Sequence, residues 1–251
     1  MARRLIFLKS ALPVISASIV LLLLWQAIVV LFEVPRYIIP APLDIMVSVY
    51  ENGPILRSAA LVTVSEAVGG FAIGAILGVA IAILMIIVPP LEASLLPLAF
   101  AVNAVPIIAF VPLALVLFGL GMASKVVIAA LAVVFVVMLN MLAGLKRPDP
   151  AAFDLMRSFG AGRLDMLWRL QLPASMPFLV TGLRVGISRS TIAVIVAEMI
   201  GAYTGLGQII YRSTIQSDNL LVWSAVLVAT AVSLIIYLVL VVFDERLVWW
   251  K

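Results

Sequence analysis

The sequence predicts an all-α, polytopic membrane protein with about six transmembrane helices. Three observations carry that prediction. Apolar residues make up 65% of the 251 positions and charged residues only 11%, against about 45–50% and about 25% in soluble chains. Several apolar runs reach the ~20 residues that a helix needs to cross a bilayer core. One long polar stretch, Asp149 to Pro177, interrupts them.

Composition also excludes functions. Cysteine and histidine are both absent, which removes disulfides, thiol chemistry and the commonest metal ligand and general base. A net charge of +4 that is sorted by side of the membrane is a topology signal, so no nucleic-acid partner is expected.

Arg3, Arg4 and Lys9 precede a first apolar run from Pro13 to Phe32. It is too long for the core of a signal peptide and lacks a small-residue cleavage site, so an uncleaved first span is expected. Residues 33–57 read as an external loop carrying a short interfacial helix. The second span is Ala67–Val88, where Gly70, Gly74, Gly78 and Ala82 recur every four residues. That spacing lines one helix face with small side chains and lets another backbone approach closely, within the chain or between subunits. Glu66, one turn earlier, is expected at the membrane edge.

The third span, Leu95–Phe118, holds Pro97, Pro106, Pro112 and Asn103. Proline kinks a helix and frees carbonyls, which is tolerated beside a neighbour or a wet path. The fourth, Val126–Leu145, contains Asn140, an amide expected to bond across helices. The fifth runs from about Pro177 to Ile200 with Arg184, Arg189, Ser190, Thr191 and Glu198. Arg189 is either a functional charge inside the membrane or an interface anchor. Residues 201–219 read as a glycine-rich external loop. The sixth span is Leu221–Phe243, with Trp249, Trp250 and Lys251 as an interfacial belt.

With both termini inside, ten of the sixteen Lys and Arg fall in inner segments and four, among them Lys125, in outer ones. This bias assigns the 146–176 loop to the cytoplasm. The loop has internal order. Asp149-Pro150 is an N-cap followed by a favoured first-turn proline, and Gly160 can close the resulting helix in a left-handed conformation. A second short helix, Arg163 to Leu170, is expected to present Leu164, Leu167 and Trp168 on one face and to stop at Pro173. Two short helices hinged at glycine suit docking of a cytosolic partner.

The same loop carries a motif. Asp154-Leu155-Met156, three residues, Gly160, nine residues and Leu170-Gln171-Leu172-Pro173 follow the spacing Glu-Ala-Ala, three, Gly, nine, Ile-x-Leu-Pro. That pattern is the cytoplasmic signature of bacterial ABC importer permease subunits, which this sequence resembles. Asp replaces Glu, both alanines are changed and Ile is Leu. IPAPLDI, NAVPIIAFVPLALVLFGLG, SKVVIAAL, LNMLAGL, TGLRVGISRS and VAEMIGAYTGLG extend the likeness over about residues 40–245. They resemble the nitrate, sulfonate and taurine branch, which also includes bicarbonate and thiamine-pyrimidine importers.

The resemblance implies the type I importer permease fold. Residues 1–57 would be an N-terminal tail, first span and external loop, 58–245 the importer transmembrane domain and 246–251 a cytoplasmic tail. It implies a bacterial inner-membrane location, a second permease copy, cytoplasmic ABC ATPase subunits and a periplasmic or lipid-anchored binding protein. Asp154, Gly160, Ala161, Arg163, Leu164, Leu167, Trp168, Leu172 and Pro173 would form the ATPase-coupling segment. Asn103, Asn140, Arg189, Ser190, Thr191 and Glu198 are pathway candidates for a small anionic or heterocyclic solute, with Arg189 favouring an anion. No cofactor is expected in this chain, since no Gly-Lys dipeptide exists to build a phosphate loop; ATP and Mg would be bound by the partner.

Two other classes of function fit the sequence less well. A carrier driven by an ion gradient needs buried acids or a broken-helix ion site, and Glu66 and Glu198 are the acids near spans. An intramembrane enzyme lacks paired carboxylates, His and Cys to work with. No residue names a substrate.

Overall fold

The computed structural model describes the backbone of residues 2–247, and the side chains of residue 13 and residues 16–242. The expected belt of Trp249, Trp250 and Lys251 lies outside the described residues. Among those residues the chain is helical throughout: α1 Ala2–Leu31, α2 Pro42–Glu51, α3 Gly53–Ile87, α4 Pro89–Ala104, a 3₁₀ turn Ile107–Phe110, α5 Val111–Phe118, α6 Met122–Leu145, α7 Pro150–Ser158, α8 Arg163–Met166, a π turn Leu167–Gln171, α9 Leu172–Gly201, α10 Leu206–Ile215 and α11 Asn219–Leu247.

Four helical stretches, Gly53–Ile87, Met122–Leu145, Arg163–Gly201 and Asn219–Val242, are long and apolar enough to cross a membrane. The pair α4 and Ile107–Phe118 would make a fifth, bent by 91°. The apolar stretch Ser16–Leu31 of α1 is shorter. The third span, expected to be kinked by its prolines, is broken outright. Pro106 follows the last helical turn, and Val105 turns extended at φ −76°, ψ 129°, as a residue before proline tends to do.

The core is a three-helix packing of α3, α6 and α9. The small-residue stripe makes it possible. A Cβ on Gly74 would lie 2.6 Å from the Ala130 carbonyl oxygen, and one on Gly78 2.8 Å from that of Val134. Gly70 faces Ala129 in the same way. The stripe is thus spent on α6 within the chain, and the subunit-contact alternative for these glycines is set aside. At one end of the bundle Met85, Met138, Met141, Leu142 and Leu145 form a buried cluster.

The remaining helices attach to this core. α2 turns Ile45 and Ser48 inward, and the Ser224 hydroxyl of α11 donates to Ser48 Oγ at 2.8 Å. α1 lies at the periphery, with Ile19 to Leu24 exposed and Trp25 tilted against Trp223 at 5.3 Å. The segment expected to be a glycine-rich loop contains α10, whose Leu206, Ile209 and Ser213 are buried. A glycine-rich stretch conceals a helix here because the glycines flank its start, with Gly205 at φ +116°.

Candidate functional site

Three regions hold the residues singled out by the sequence. The first is the polar elbow joining α6 to α9. Asp149 caps α7, its carboxylate accepting from the Ala151 N–H at 2.9 Å, with Pro150 in the first turn. Gly160 takes φ +78°, and the Ala161 N–H donates to the Met156 carbonyl at 3.0 Å, so a left-handed residue closes the helix as the sequence predicts. Asp154 pairs with Arg157 at 3.3 Å and Asp165 with Arg169 at 3.5 Å. All four side chains are exposed, and such pairs contribute little stability. Arg163 is exposed and Ala161 half-buried.

Two expectations about this elbow are corrected. Leu164 and Trp168 are 63% and 68% exposed, but Leu167 is only 3% exposed and packs into the methionine-leucine cluster. The π turn begins at Leu167 and changes the helical register, so the expected three-residue face divides between solvent and core. Pro173 does not stop the helix either. The π turn widens the backbone just before the ring, and the chain continues from Arg163 to Gly201 as one 39-residue helical stretch. Leu172 is half-buried and packs against the same core cluster. The Gln171 amide donates to the Leu145 carbonyl at 3.1 Å, Arg147 lies 5.1 Å over the Phe178 ring, and Lys146 pairs with Glu92. The elbow is therefore an exposed apolar surface tied at its base to the bundle.

The second region surrounds the broken span. A cleft of about 280 Å³ opens where α4 ends, lined by Asn103, Pro106, Phe110, Phe135, Arg189 and neighbouring aliphatic residues. Arg189 and Asn103 are exposed, and the guanidinium donates to Asn103 Oδ1 at 3.5 Å. Two of the six pathway candidates meet here.

The other four do not. Ser190 is buried and donates to the Ala67 carbonyl at 2.6 Å, and Thr191 donates to Ile187 O at 3.0 Å within its own helix. Asn140 donates to Val136 O at 2.8 Å, satisfying its amide inside α6 rather than across helices. Its Cβ is close enough to α9 that a side chain on Gly182 would meet it at 2.9 Å. Each of these polar groups is used in packing.

The third region surrounds Glu198, a pathway candidate, and its grouping with Thr63, Glu66 and Lys125 is what sequence reasoning missed. The Glu198 carboxylate is 1% exposed. It accepts from Thr63 Oγ1 and from the Gly207 N–H, both at 2.7 Å, while the Leu206 N–H donates to Thr63 Oγ1 at 2.9 Å. Glu66, expected at an interface, is 3% exposed and lies beside Glu198. Lys125, counted as an outer-loop charge, is fully buried and donates to the carbonyls of Leu120 at 2.6 Å, Gly121 at 3.2 Å and Gly201 at 2.5 Å. It grips the last carbonyl of α9, where a cation is favoured, and two carbonyls of the turn between α5 and α6. Glu198 and Lys125 are ligated, as buried charge requires, whereas Glu66 Oε2 is buried without a hydrogen-bond partner. The pattern Glu198…Gly205, Gly207 was the available signal: a Cβ on either glycine would collide with the carboxylate side chain.

An all-helical membrane bundle with a broken span, a polar cleft beside it and a structured elbow is the architecture of a transport subunit. The chain belongs to the family of binding-protein-dependent transport system inner membrane components, whose model matches residues 70–249. It is 31% identical over 230 residues to a probable ABC transporter permease of Haemophilus influenzae, covering 92% of this chain and 94% of that one. Identity is 25% over 234 residues with the formylaminopyrimidine transport permease of Halalkalibacterium halodurans, covering 93% of each. With the taurine transport system permease of Escherichia coli K12 it is 30% over 173 residues, or 69% of this chain and 63% of that one. Among solved structures, a chain of the inward-facing methionine ABC transporter MetNI superposes with a TM-score of 0.66 at 16% identity, covering 78% of this chain and 95% of that chain. The fold is that of ABC importer permeases.

Proposed function

We propose that this permease works as a pair of copies, receives a small solute from a separate binding protein and is driven by ABC ATPase subunits docked on the Asp149–Pro173 elbow. In this reading the elbow and both termini are cytoplasmic, in a bacterial inner membrane. ATP and Mg are bound by the partner; the chain has no Gly-Lys dipeptide and so no phosphate loop of its own. Relatives named for taurine and for formylaminopyrimidine support a small anionic or heterocyclic solute.

The observation that carries the reading is the elbow. Leu155, Phe159, Leu164 and Trp168 are large apolar side chains left exposed on a polar segment, while Leu167 and Gln171 fasten the same segment to the core. Exposed aromatic and aliphatic anchors on a rigid base are what a partner's groove engages. Closure of the ATPase pair would move the elbow as a body and tilt α9 with it. Our test is the double variant Leu164→Asp, Trp168→Asp. It should insert into the membrane as wild type does, lose co-purification with the ATPase subunit, and lose at least about tenfold in uptake, the scale of one hot-spot contact. Normal assembly and uptake would remove the docking role.

One observation favours a second reading, an ion-gradient carrier, because Glu66 and Glu198 turn out to be deeply buried acids. Glu198 is, however, fully engaged by Thr63 and Gly207, and neither acid lines the cleft. Uptake that persists after deletion of the ATPase subunit would support the carrier.

A further inference from the structure

We propose that the cleft at the broken span is a binding subsite for the anionic headgroup, a sulfonate or carboxylate, of the transported solute, with Arg189 and Asn103 as its ligands. The inference rests on reading the chain as a permease and narrows the substrate class of that reading.

The argument begins with depth. At 1.5 Å per residue, Arg189 lies about 18 Å along α9 from Gly201, well inside a hydrocarbon core ~30 Å thick. A charge at that depth requires water, a counter-ion or a protein partner. Among the described residues no carboxylate lies within ion-pair distance of Arg189. Its contact with Asn103 is 3.5 Å, too long to hold the guanidinium firmly. The cation is thus exposed, unneutralised by the described residues and free to turn towards a ligand.

The cleft chemistry fits one sign of charge. Its lining contains no acid, and the polar side chains are Arg189 and Asn103. Asn103 offers Oδ1 to the guanidinium, which leaves its two amide N–H donors available beside Arg189. Two donor groups on one side match the oxygens of a sulfonate or carboxylate, for which the guanidinium fork is suited. The remainder is apolar, with Phe110 and Phe135 placed to cover a short carbon skeleton. A volume of about 280 Å³ lies just below the ~300–1,000 Å³ of ligand pockets and suits a small molecule. The break at Pro106 makes the opening, because an unbroken helix would carry α5's residues across the space.

The experiment uses the full chain in lipid nanodiscs, phenylglyoxal as an arginine reagent and mass mapping of each arginine. Ethanesulfonate is the probe, with neutral ethanesulfonamide and chloride at equal ionic strength as controls. Arg189 should be labelled in buffer and protected by ethanesulfonate alone, while Arg163 on the elbow is labelled equally in all three. Asn103→Asp, which places a carboxylate against the guanidinium at nearly unchanged volume, should raise the half-protecting concentration about tenfold. Absence of labelling at Arg189, equal protection by chloride or the sulfonamide, or an unchanged half-protecting concentration in Asn103→Asp would each overturn the subsite. The two readings fail separately: protection without any ATPase-dependent uptake removes the permease mechanism and leaves the site, whereas ATPase-dependent uptake with an unprotected Arg189 removes the site alone.

Discussion

Thr63 is a small side chain with a large structural role. Its hydroxyl contacts the Ala59 carbonyl at 3.1 Å and Glu198 at 2.7 Å, and it accepts from the Leu206 N–H. Thr63→Val keeps the shape and removes all three bonds, leaving a buried N–H and a buried carboxylate short of partners. Such losses cost about 1–3 kcal/mol each, so the thermal unfolding midpoint in detergent should fall clearly. Ser65→Ala, which removes an exposed hydroxyl bonded within its own helix, should stay within about 0.5 kcal/mol of wild type. An unchanged midpoint for Thr63→Val would mean that α10 is held by packing alone. These residues also mark the limit of what sequence shows. Gly70, Gly74 and Gly78 were legible because their spacing is local to one helix. Thr63, Glu66, Lys125 and Glu198 were not, because they are brought together from α3, α6 and α9, helices far apart in the sequence, and each looks like an edge charge or hydroxyl in isolation.

Among the elements, α7 and its glycine were the most readable, since capping is written in adjacent residues: Asp149, Pro150 and Gly160. The π turn was not readable, because no residue type specifies one; it is the accommodation between Pro173 and the buried position of Leu167. The bend at Pro106 was anticipated as a kink, but its 91° angle depends on how α4 packs against α3 and α5 against α6. Gly160 allows a test at this scale. At φ +78° a β-branched residue is strained by about 1–2 kcal/mol, so Gly160→Val should re-aim α7 relative to Trp168. Solute moved per ATP hydrolysed should fall, and Gly160→Asn, which tolerates this backbone region, should recover most of it. Equal coupling in both variants would show that the hinge angle is not transmitted.

At the scale of the whole molecule, the absence of cysteine makes orientation directly measurable. Ser158 on the elbow and Gln216 after α10 are exposed and flank α9. In spheroplasts a membrane-impermeant maleimide should label Gln216→Cys at once and Ser158→Cys only after lysis. The reverse pattern would invert the topology drawn from charge sorting. The apolar runs were legible one by one, although against the six spans expected the described residues hold four helical stretches long enough to cross and a bent pair as a fifth. Which of them make the core was not, since α3, α6 and α11 are similarly oily and α9 is less so, and only contact distinguishes the central three.

The 39-residue stretch from Arg163 to Gly201 spans about 58 Å and touches every region described. Its first turn carries Leu164, Arg189 lies about two-thirds of the way along it, and its last carbonyl is gripped by Lys125. On the proposed reading of the elbow as the docking surface, docking state, cleft and the Lys125 attachment would be not three independent variables but three readings of one coordinate. Defects placed at the elbow can then be compensated about 50 Å away without restoring the lost contact: loosening the Lys125 or Thr63 attachment lowers the resistance against which a weakened elbow has to act. Second-site suppressors of elbow variants belong at that distant end.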